Sequence, residues 1–416
     1  MRLTASSLSL LLCGTFLAIA APRALAADEA EAIRPFAINV EDAVLEDLHE
    51  RLDRTRWPDA LDDAGWEYGV DMVYMRQLVE YWRNGYDWRE QERKLNELPQ
   101  FKTNIDGLDI HFLHQRSKHA NALPLVLVHG WPGSFYEFHK MVGPLTDPEA
   151  HGGSAEDTFH VICPSLPGFG FSDKPRERGW SVNRMSAVVA DLMARLGYDR
   201  YAAQGGDWGA GVARWLGNYD SAHVAGVHLN FLPGGRPMTG DPWEGVTAEE
   251  RARVEGRQQE LQAHYGYSSI QGTRPQTLGF ALNDSPAGQA AWIVDKFWAW
   301  SDHAGDLENS FTKDELLTNV MLYWVTQSGP SSARIYFERQ GYNGGRPSGQ
   351  VPVACALFPK EINVPPRKWV EAQIPIARWT EMPRGGHFAA MEVPDLLVED
   401  VRAFFRELRA VKAESE

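Results

Sequence analysis

Eight residues near the middle of the chain predict both a local fold and a chemistry: Ala203-Gln204-Gly205-Gly206-Asp207-Trp208-Gly209-Ala210. A short apolar run precedes them and residues 211–216 have a helical pattern, so Asp207 is predicted to lie on a sharp turn between a strand and a helix. Such a turn strains the backbone of its central residue, and flanking glycines tolerate that strain. The pattern is typical of a nucleophile elbow. Because Asp is also a favoured N-cap residue, the alternative is that Asp207 merely caps the helix.

The aspartate at the centre of this turn determines the chemistry that we predict. A carboxylate can attack a saturated carbon and become an ester. The expected reaction is therefore alkyl transfer from an epoxide or an alkyl halide, and not acyl transfer.

Strand and helix patterns alternate on both sides of the turn. Apolar runs at 123–128, 159–164 and 224–230 predict strands, and an amphipathic pattern at 185–196 predicts a helix. This alternation favours a mainly parallel sheet with helices on both faces. Ligands of such sheets bind beyond the carboxyl ends of the strands, which is where Asp207 is expected to lie.

The remaining patterns divide the chain into further segments. Residues 27–120 are predicted to be an N-terminal segment, with an amphipathic helix at 44–52 that Pro58 ends. Residues 121–231 and 346–416 form the two parts of the sheet domain. The second part contains strands at 351–358 and 376–379 and a terminal helix from 396 to about 411. Between them, helical patterns at 232–345 predict an inserted cap over the site.

The first 26 residues have the features of a secretory signal: Arg2, an apolar stretch from Leu8 to Ala21, and the small-residue site Ala24-Leu25-Ala26. We expect cleavage near Ala26, export to the periplasm or the outside, and no stable membrane insertion. Cleavage removes two arginines and no acids, so the formal net charge falls from −15 to −17. Such an acidic protein is a poor nucleic-acid binder.

Cysteine and histidine usage bears on redox state and cofactors. Cys163 and Cys355 each lie in an apolar strand-like run, which favours two separate buried thiols over a disulfide. The His and Cys residues lack metal-ligand spacing, and the chain has no glycine-rich phosphate loop. A hydrolase without cofactor or metal fits this pattern.

The loop after the strand at 123–128 has the sequence His129-Gly130-Trp131-Pro132-Gly133-Ser134. In an α/β-hydrolase sheet this loop lends one backbone N–H to the oxyanion hole, here that of Trp131, and the residue after the nucleophile, Trp208, lends the other. The alternative is a tight turn with a cis proline.

A base and an acid are expected after the last strands. His387, in Arg384-Gly385-Gly386-His387-Phe388, has the chain position of the general base. The acid can follow either the strand after the elbow helix or the next core strand. Asn230 occupies the first position and cannot carry charge. We therefore choose Glu361, at the second position, as the acid that orients the imidazole. Asp284 and Glu338 are the alternatives.

In their order along the chain, these motifs resemble the microsomal-type epoxide hydrolases, a branch of the α/β-hydrolase fold with a characteristic N-terminal segment. The resemblance covers nearly all of the chain after the signal, including Thr55-Arg56-Trp57-Pro58, Tyr86-Asp87-Trp88-Arg89, Gly205-Gly206-Asp207-Trp208-Gly209, Ala281-Leu282-Asn283-Asp284-Ser285-Pro286 and Phe358-Pro359-Lys360-Glu361. It implies an α/β-hydrolase fold with a helical cap and an N-terminal meander, and the triad Asp207, Glu361 and His387.

The same resemblance implies two cap tyrosines that hydrogen-bond the epoxide oxygen, at Tyr267 and Tyr336. A phenol suits this task because it can donate a proton to a developing alkoxide. Tyr265 is the alternative to Tyr267. The implied substrates are an epoxide and water, and the implied role is detoxification or catabolism of aromatic hydrocarbons. Membrane-bound members of the family retain an N-terminal anchor, whereas this chain shows a cleavable signal.

Two other functions are compatible with parts of this pattern. A haloalkane dehalogenase shares the Asp-Trp-Gly sequence and the covalent ester, and could bind halide with Trp131 and Trp208. The two cap tyrosines and the N-terminal segment weigh against it. A secreted, non-catalytic binding protein of the same fold has no physical need for the complete set of acidic, basic and phenolic groups.

Overall fold

The computed structural model of the protein describes residues 31–339 and 351–415. The predicted signal at residues 1–26 and the last part of the predicted cap, residues 340–345, lie outside the described residues.

A nine-stranded sheet runs through the described part of the chain in the spatial order β1-β2-β3-β5-β4-β6-β7-β8-β9. The strands are β1 Arg34–Phe36, β2 Gln100–Ile105, β3 Leu108–Gln115, β4 Leu123–Val128, β5 Phe159–Pro164, β6 Tyr201–Gly205, β7 Val224–Leu229, β8 Val353–Leu357 and β9 Ile376–Glu381. Neighbouring strands from β5 to β9 are parallel, whereas β1, β2 and β3 are joined to each other and to β5 in antiparallel pairs. The predicted mainly parallel sheet with an N-terminal meander is confirmed.

Helices cover the central strands on both sides. Leu125 to Val128 of β4 are all fully buried, and alternate residues of a strand point to opposite faces, so both faces of β4 are covered. Helices α5 (Val182–Arg195) and α6 (Asp207–Tyr219) pack on each other, and α6 contacts β6. Helices α4 (His139–Thr146) and α15 (Pro394–Ser415) pack against each other. Helix α4 also packs against β5, and helix α15 packs against β7.

The N-terminal segment differs in detail from the prediction. Helix α1 (Asp42–Asp53) lies where the amphipathic pattern at 44–52 was found, and helix α2 (Met72–Asn84) follows it. Helix α1 ends at Asp53, before Pro58, and the Thr55 hydroxyl just beyond its end donates to the Leu52 carbonyl at 2.8 Å. Helix α3 (Trp88–Leu95) and strand β2 were not predicted, although β2 and β3 form an antiparallel hairpin whose two-residue turn, Asp106-Gly107, is a local hairpin signal.

Six α-helices, two short 3₁₀ helices and no strand occupy the described part of the predicted cap. The α-helices are α7 Ala248–Leu261, α8 Gly266–Thr273, α9 Pro275–Asp284, α10 Pro286–Trp300, α11 Lys313–Val325 and α12 Gly329–Glu338. Helix α7 begins at a capping box in which Thr247 and Glu250 exchange hydrogen bonds. Helix α10 begins with Pro286 in its first turn, after Ser285 caps the Gly288 N–H. Two short helices, α13 (Arg367–Glu371) and α14 (Ala389–Glu392), belong to the second part of the sheet domain.

The two described cysteines are buried free thiols on separate strands, Cys163 on β5 and Cys355 on β8. Burial raises the pKa of the Cys355 thiol to about 12. Such buried thiols are chemically inert. None of the helices in the described ranges is both long and apolar enough to span a bilayer.

Candidate active site

Asp207 is the first residue of helix α6 and follows the last residue of β6 by two positions. Its φ of 47° lies in the left-handed region that non-glycine residues rarely adopt. Gly206, not Asp207, is the N-cap residue, and no side chain caps this helix. The simple cap interpretation of Asp207 is therefore wrong, and the strained turn presents its carboxylate outward from the sheet.

Two glycines make the close packing around Asp207 possible. A Cβ at Gly130 would lie 2.1 Å from Asp207 Oδ1, and a Cβ at Gly209 would lie 1.9 Å from the Val128 carbonyl oxygen. Both distances are shorter than any real contact, so these positions require glycine. Helix α6 thereby approaches the end of β4 closely enough for the two loops to meet.

The predicted oxyanion loop, residues 129–134, contacts Asp207 from one side. The backbone N–H of Trp131 donates to Asp207 Oδ1 at 2.9 Å. The Trp131–Pro132 peptide bond is cis, so the loop contains both features that the sequence analysis set against each other. Trp208 follows Asp207 in the first turn of α6, and its N–H as the second donor stays a prediction.

Helix α11 braces this loop through contacts that the sequence did not reveal. Asn319 donates to the Pro132 carbonyl at 2.8 Å and accepts from the Ser134 hydroxyl at 2.9 Å. The Tyr323 hydroxyl donates to the Gly133 carbonyl at 2.7 Å. All three side chains are buried, so these hydrogen bonds hold the loop carbonyls in place with little competition from water.

His387 and Glu361 lie on loops that meet where β8 and β9 end. His387 Nδ1 donates to Glu361 Oε1 at 2.6 Å, and His387 Nε2 lies 3.5 Å from Asp207 Oδ2. The backbone N–H of His387 donates to the Trp300 carbonyl at 2.8 Å. Glu361 is completely buried, and its Oε1 also accepts from the Ile362 N–H at 2.5 Å. The structure thus brings Asp207, His387 and Glu361 together in one line.

The charges of Asp207 and Glu361 determine the protonation state of the His387 imidazole. Burial disfavours charge on His387, but the carboxylates of Glu361 and Asp207 outweigh that effect and hold the pKa of His387 well above its usual range. The imidazole is therefore an imidazolium for as long as Asp207 remains a free carboxylate.

The alternative acids lie elsewhere. Asp284 is exposed at the end of α9 and pairs with Arg51 at 3.1 Å. Glu338 accepts from the Gly179 N–H at 2.9 Å. Asn230 is buried and accepts from the Gln204 amide at 2.7 Å, so it supports the strand ends behind the elbow.

The cap places two tyrosine rings against Trp131 and Trp208, next to Asp207. The Tyr336 and Tyr267 rings meet edge to face with centroids 5.5 Å apart. Tyr336 packs edge-on against Trp208 at 4.9 Å, and Tyr267 stacks on Trp131 at 5.2 Å. Tyr265, in contrast, is 44% exposed and lines a separate surface pocket. The geometry thus brings Tyr267 and Tyr336 to the site and leaves Tyr265 outside it.

Both phenols keep their protons. Burial, followed by the Asp207 carboxylate, raises the pKa of Tyr267, and burial, followed by Tyr267 and Asp207, raises the pKa of Tyr336. Each is therefore available as a donor to an oxygen that gains negative charge.

Glu137 is a site residue that the sequence analysis missed. It lies in a short 3₁₀ helix directly after the oxyanion loop, and a Cβ at Gly133 would lie only 1.3 Å from its Oε1. Burial raises the pKa of Glu137 to about 8, an effect that His387 opposes and that Asp207 and Glu361 reinforce. The feature of the sequence that could have indicated Glu137 is an acid within an otherwise aromatic run, Phe135-Tyr136-Glu137-Phe138.

The assembled groups can perform nucleophilic substitution followed by ester hydrolysis. They comprise a carboxylate, a backbone donor on that carboxylate, an imidazole with an acid behind it, and two phenols. In residues 31–339 and 351–415, no cluster of three or more His, Cys, Asp or Glu side chains could hold a metal ion.

Two family models match the chain. Residues 33–138 match the model described as the epoxide hydrolase N terminus, and residues 124–241 match the model of the alpha/beta hydrolase fold.

Known proteins resemble it over almost their whole length. A Stigmatella aurantiaca relative is 50% identical over 91% of this chain and 86% of its own. Epoxide hydrolase 1 of Sus scrofa is 41% identical over 91% of this chain and 90% of its own. The crystal structure of juvenile hormone epoxide hydrolase from the silkworm Bombyx mori superimposes with a TM-score of 0.86 at 32% identity, covering 94% of this chain and 98% of that one.

Proposed function

Since this chain belongs to the epoxide hydrolase family and is an epoxide hydrolase, we propose that it opens the epoxide to a vicinal diol through an ester on Asp207. The observation that carries this proposal is the position of the Asp207 carboxylate. Its Oδ1 accepts from the Trp131 N–H at 2.9 Å, and its Oδ2 lies 3.5 Å from His387 Nε2. One oxygen is thus fixed in the oxyanion site, and the other is left for attack.

In the first half-reaction, Asp207 Oδ2 attacks an epoxide carbon and the carbon–oxygen bond of the ring breaks. The ring oxygen becomes an alkoxide and takes a proton from Tyr267 or Tyr336, which becomes a phenolate. These donors stabilise charge that develops mainly in the transition state, so they act on the rate more than on binding.

Formation of the ester changes the charge around His387. The negative charge of Asp207 disappears, which removes one of the two carboxylates that hold the pKa of His387 high. The imidazolium can then return its proton to the phenolate and become a neutral base. This transfer restores the tyrosine and prepares His387 for the second step.

In the second half-reaction, His387 takes a proton from water and the resulting hydroxide attacks the Asp207 carbonyl carbon. The backbone N–H of Trp131, together with that of Trp208, stabilises the tetrahedral oxyanion on Oδ1. Glu361 stabilises the imidazolium that forms. The bond between Cγ and the substrate-bound oxygen then breaks, and the departing alkoxide takes the proton of the added hydroxyl group, which releases the diol and returns Asp207 as a carboxylate.

The surroundings support an aromatic substrate and a role in the detoxification or catabolism of aromatic hydrocarbons. Trp131, Trp208, Trp300, Tyr267 and Tyr336 form a cluster of contacting rings around the nucleophile. Such rings offer faces and edges on which a planar apolar group can stack. We further propose that the protein is exported, on the basis of the signal features in its first 26 residues.

A single turnover in heavy-oxygen water tests the ester. Enzyme in excess over an aromatic epoxide should form a first diol without label and carry the label in the Asp207 carboxylate, which mass spectrometry of the corresponding peptide can read. Label that enters the first diol would show direct attack by water and would overturn the proposal.

The matched control is the His387→Gln variant, which keeps the nucleophile and lacks the base. We expect it to form the ester and then stall, so that the intact protein gains the mass of one substrate molecule. Full turnover by this variant would assign the base to another residue. Halide release from chloroalkanes without diol formation from epoxides would instead support the dehalogenase alternative.

A further inference from the structure

Lys296 is a buried cation on helix α10, close to the cap tyrosines. The residue is 4% exposed, although lysine is rarely buried unless its charge is paired. Its Nζ lies 2.5 Å from Asp295 Oδ2 and donates to the His264 carbonyl at 3.4 Å. The Lys296 ammonium group is thus paired inside the cap with an adjacent carboxylate and a carbonyl.

The same ammonium group faces the ring of Tyr267. Its Nζ lies 4.8 Å from the centroid of the Tyr267 ring and 5.8 Å from that of Trp300. The Tyr267 ring also stacks on Trp131 with an interplanar angle of 10°. These contacts fix the position of the ring, and with it the direction of the hydroxyl.

We infer that Lys296 is a positioning residue for Tyr267: it holds the ring in place, and its charge favours proton transfer from the Tyr267 hydroxyl to the alkoxide. The inference rests on the proposed function of Tyr267. A phenolate ring carries more electron density than a phenol ring, so a cation over its face is bound more strongly after the proton has left. The proton moves from Tyr267 Oη to the epoxide oxygen, while Lys296 keeps all its protons.

The test uses Lys296→Met, which removes the charge at similar length, and Lys296→Arg, which keeps a cation. Stopped-flow tryptophan fluorescence follows ester formation in a single turnover. We expect Lys296→Met to slow this step about tenfold, with a smaller change in KM, in line with the usual strength of a desolvated cation–π contact. Lys296→Arg should recover most of the rate.

A double-mutant cycle separates this role from simple packing. Tyr267→Phe keeps the ring but has no proton to transfer, so Lys296→Met should change its alkylation rate less than twofold. An equal tenfold loss in both backgrounds would show that Lys296 only supports the cap and would overturn the inference. If Lys296→Met is insoluble, Lys296→Gln takes its place in the same cycle.

Lys102 provides a matched control, because its Nζ lies 4.8 Å over the Phe36 ring, outside the site. Lys102→Met should leave the alkylation rate unchanged. Failure of the inference remains distinguishable from failure of the proposed ester, because the heavy-oxygen label in wild-type Asp207 does not depend on Lys296.

Discussion

At the scale of single residues, we predict that the two cap phenols, Tyr267 and Tyr336, determine whether the enzyme is specific for epoxides. Tyr336→Phe and Tyr267→Phe should each slow ester formation, towards the roughly 100-fold cost that is typical of losing one transition-state donor. The remaining phenol should rescue part of the rate, and the double variant should be almost inactive. Tyr265→Phe is the matched control, since Tyr265 lies on the surface. Stopped-flow measurement of the alkylation rate tests this prediction. A slower rate in Tyr265→Phe, with an unchanged rate in Tyr267→Phe, would assign the role to Tyr265 instead of Tyr267.

At the scale of elements, the approach of helix α6 to strand β4 positions the nucleophile. A Cβ at Gly209 would lie 1.9 Å from the Val128 carbonyl, so Gly209→Ala should push the helix outward, cost about 1–3 kcal/mol of stability or more, and abolish activity. Gly256→Ala, within helix α7, is the control, because no atom lies within 4 Å of its Cβ position. That variant should gain up to about 1 kcal/mol. The free energy of unfolding in urea, measured for both variants, tests this prediction. Equal changes in Gly209→Ala and Gly256→Ala would contradict the steric argument.

At the scale of the whole molecule, buried neutral histidines link folding to pH. His111 joins β3 to its surroundings through Gln100 Oε1 and Ser165 Oγ, both at 2.9 Å. Burial, with Lys102 and His129 adding to it, lowers the pKa of His111 from 6.5 to about 3. Between about pH 3 and pH 6.5, His111 is therefore protonated in the unfolded chain and neutral in the folded protein. The contribution of His111 to the free energy of unfolding is fully present above about pH 6.5 and is lost as the pH falls towards 3.

His111→Gln should consequently be less stable than wild type at pH 7, with a difference that shrinks between pH 7 and pH 5. The free energy of unfolding in urea at several pH values measures this change. A constant difference for His111→Gln would show that the buried imidazole does not carry the pH dependence.

The amino-acid sequence alone determined the features that depend only on residues close together along the chain. The apolar runs predicted the parallel strands, because a strand buried on both faces needs little beyond its own sequence to be identified. The glycines around Asp207 and the sequence His129-Gly130-Trp131-Pro132-Gly133 predicted two loops, since tight turns restrict which residues fit. These segments and their order along the chain led to Asp207, Trp131 and His387 as candidates before any contact was known.

Tertiary structure alone decided among residues that have equivalent local patterns. Glu361 was chosen over Asp284 and Glu338 by topology and resemblance, but only the fold puts its carboxylate 2.6 Å from His387 Nδ1. Tyr265 and Tyr267 are two positions apart, and the packing of helix α8 against helix α12 within the cap leaves only Tyr267 in contact with Trp131. Glu137 likewise meets His387, Asp207 and Glu361, and Lys296 meets the Tyr267 ring, only because elements distant in sequence pack together. Burial and charge pairing arise between such elements, so no local pattern contains them.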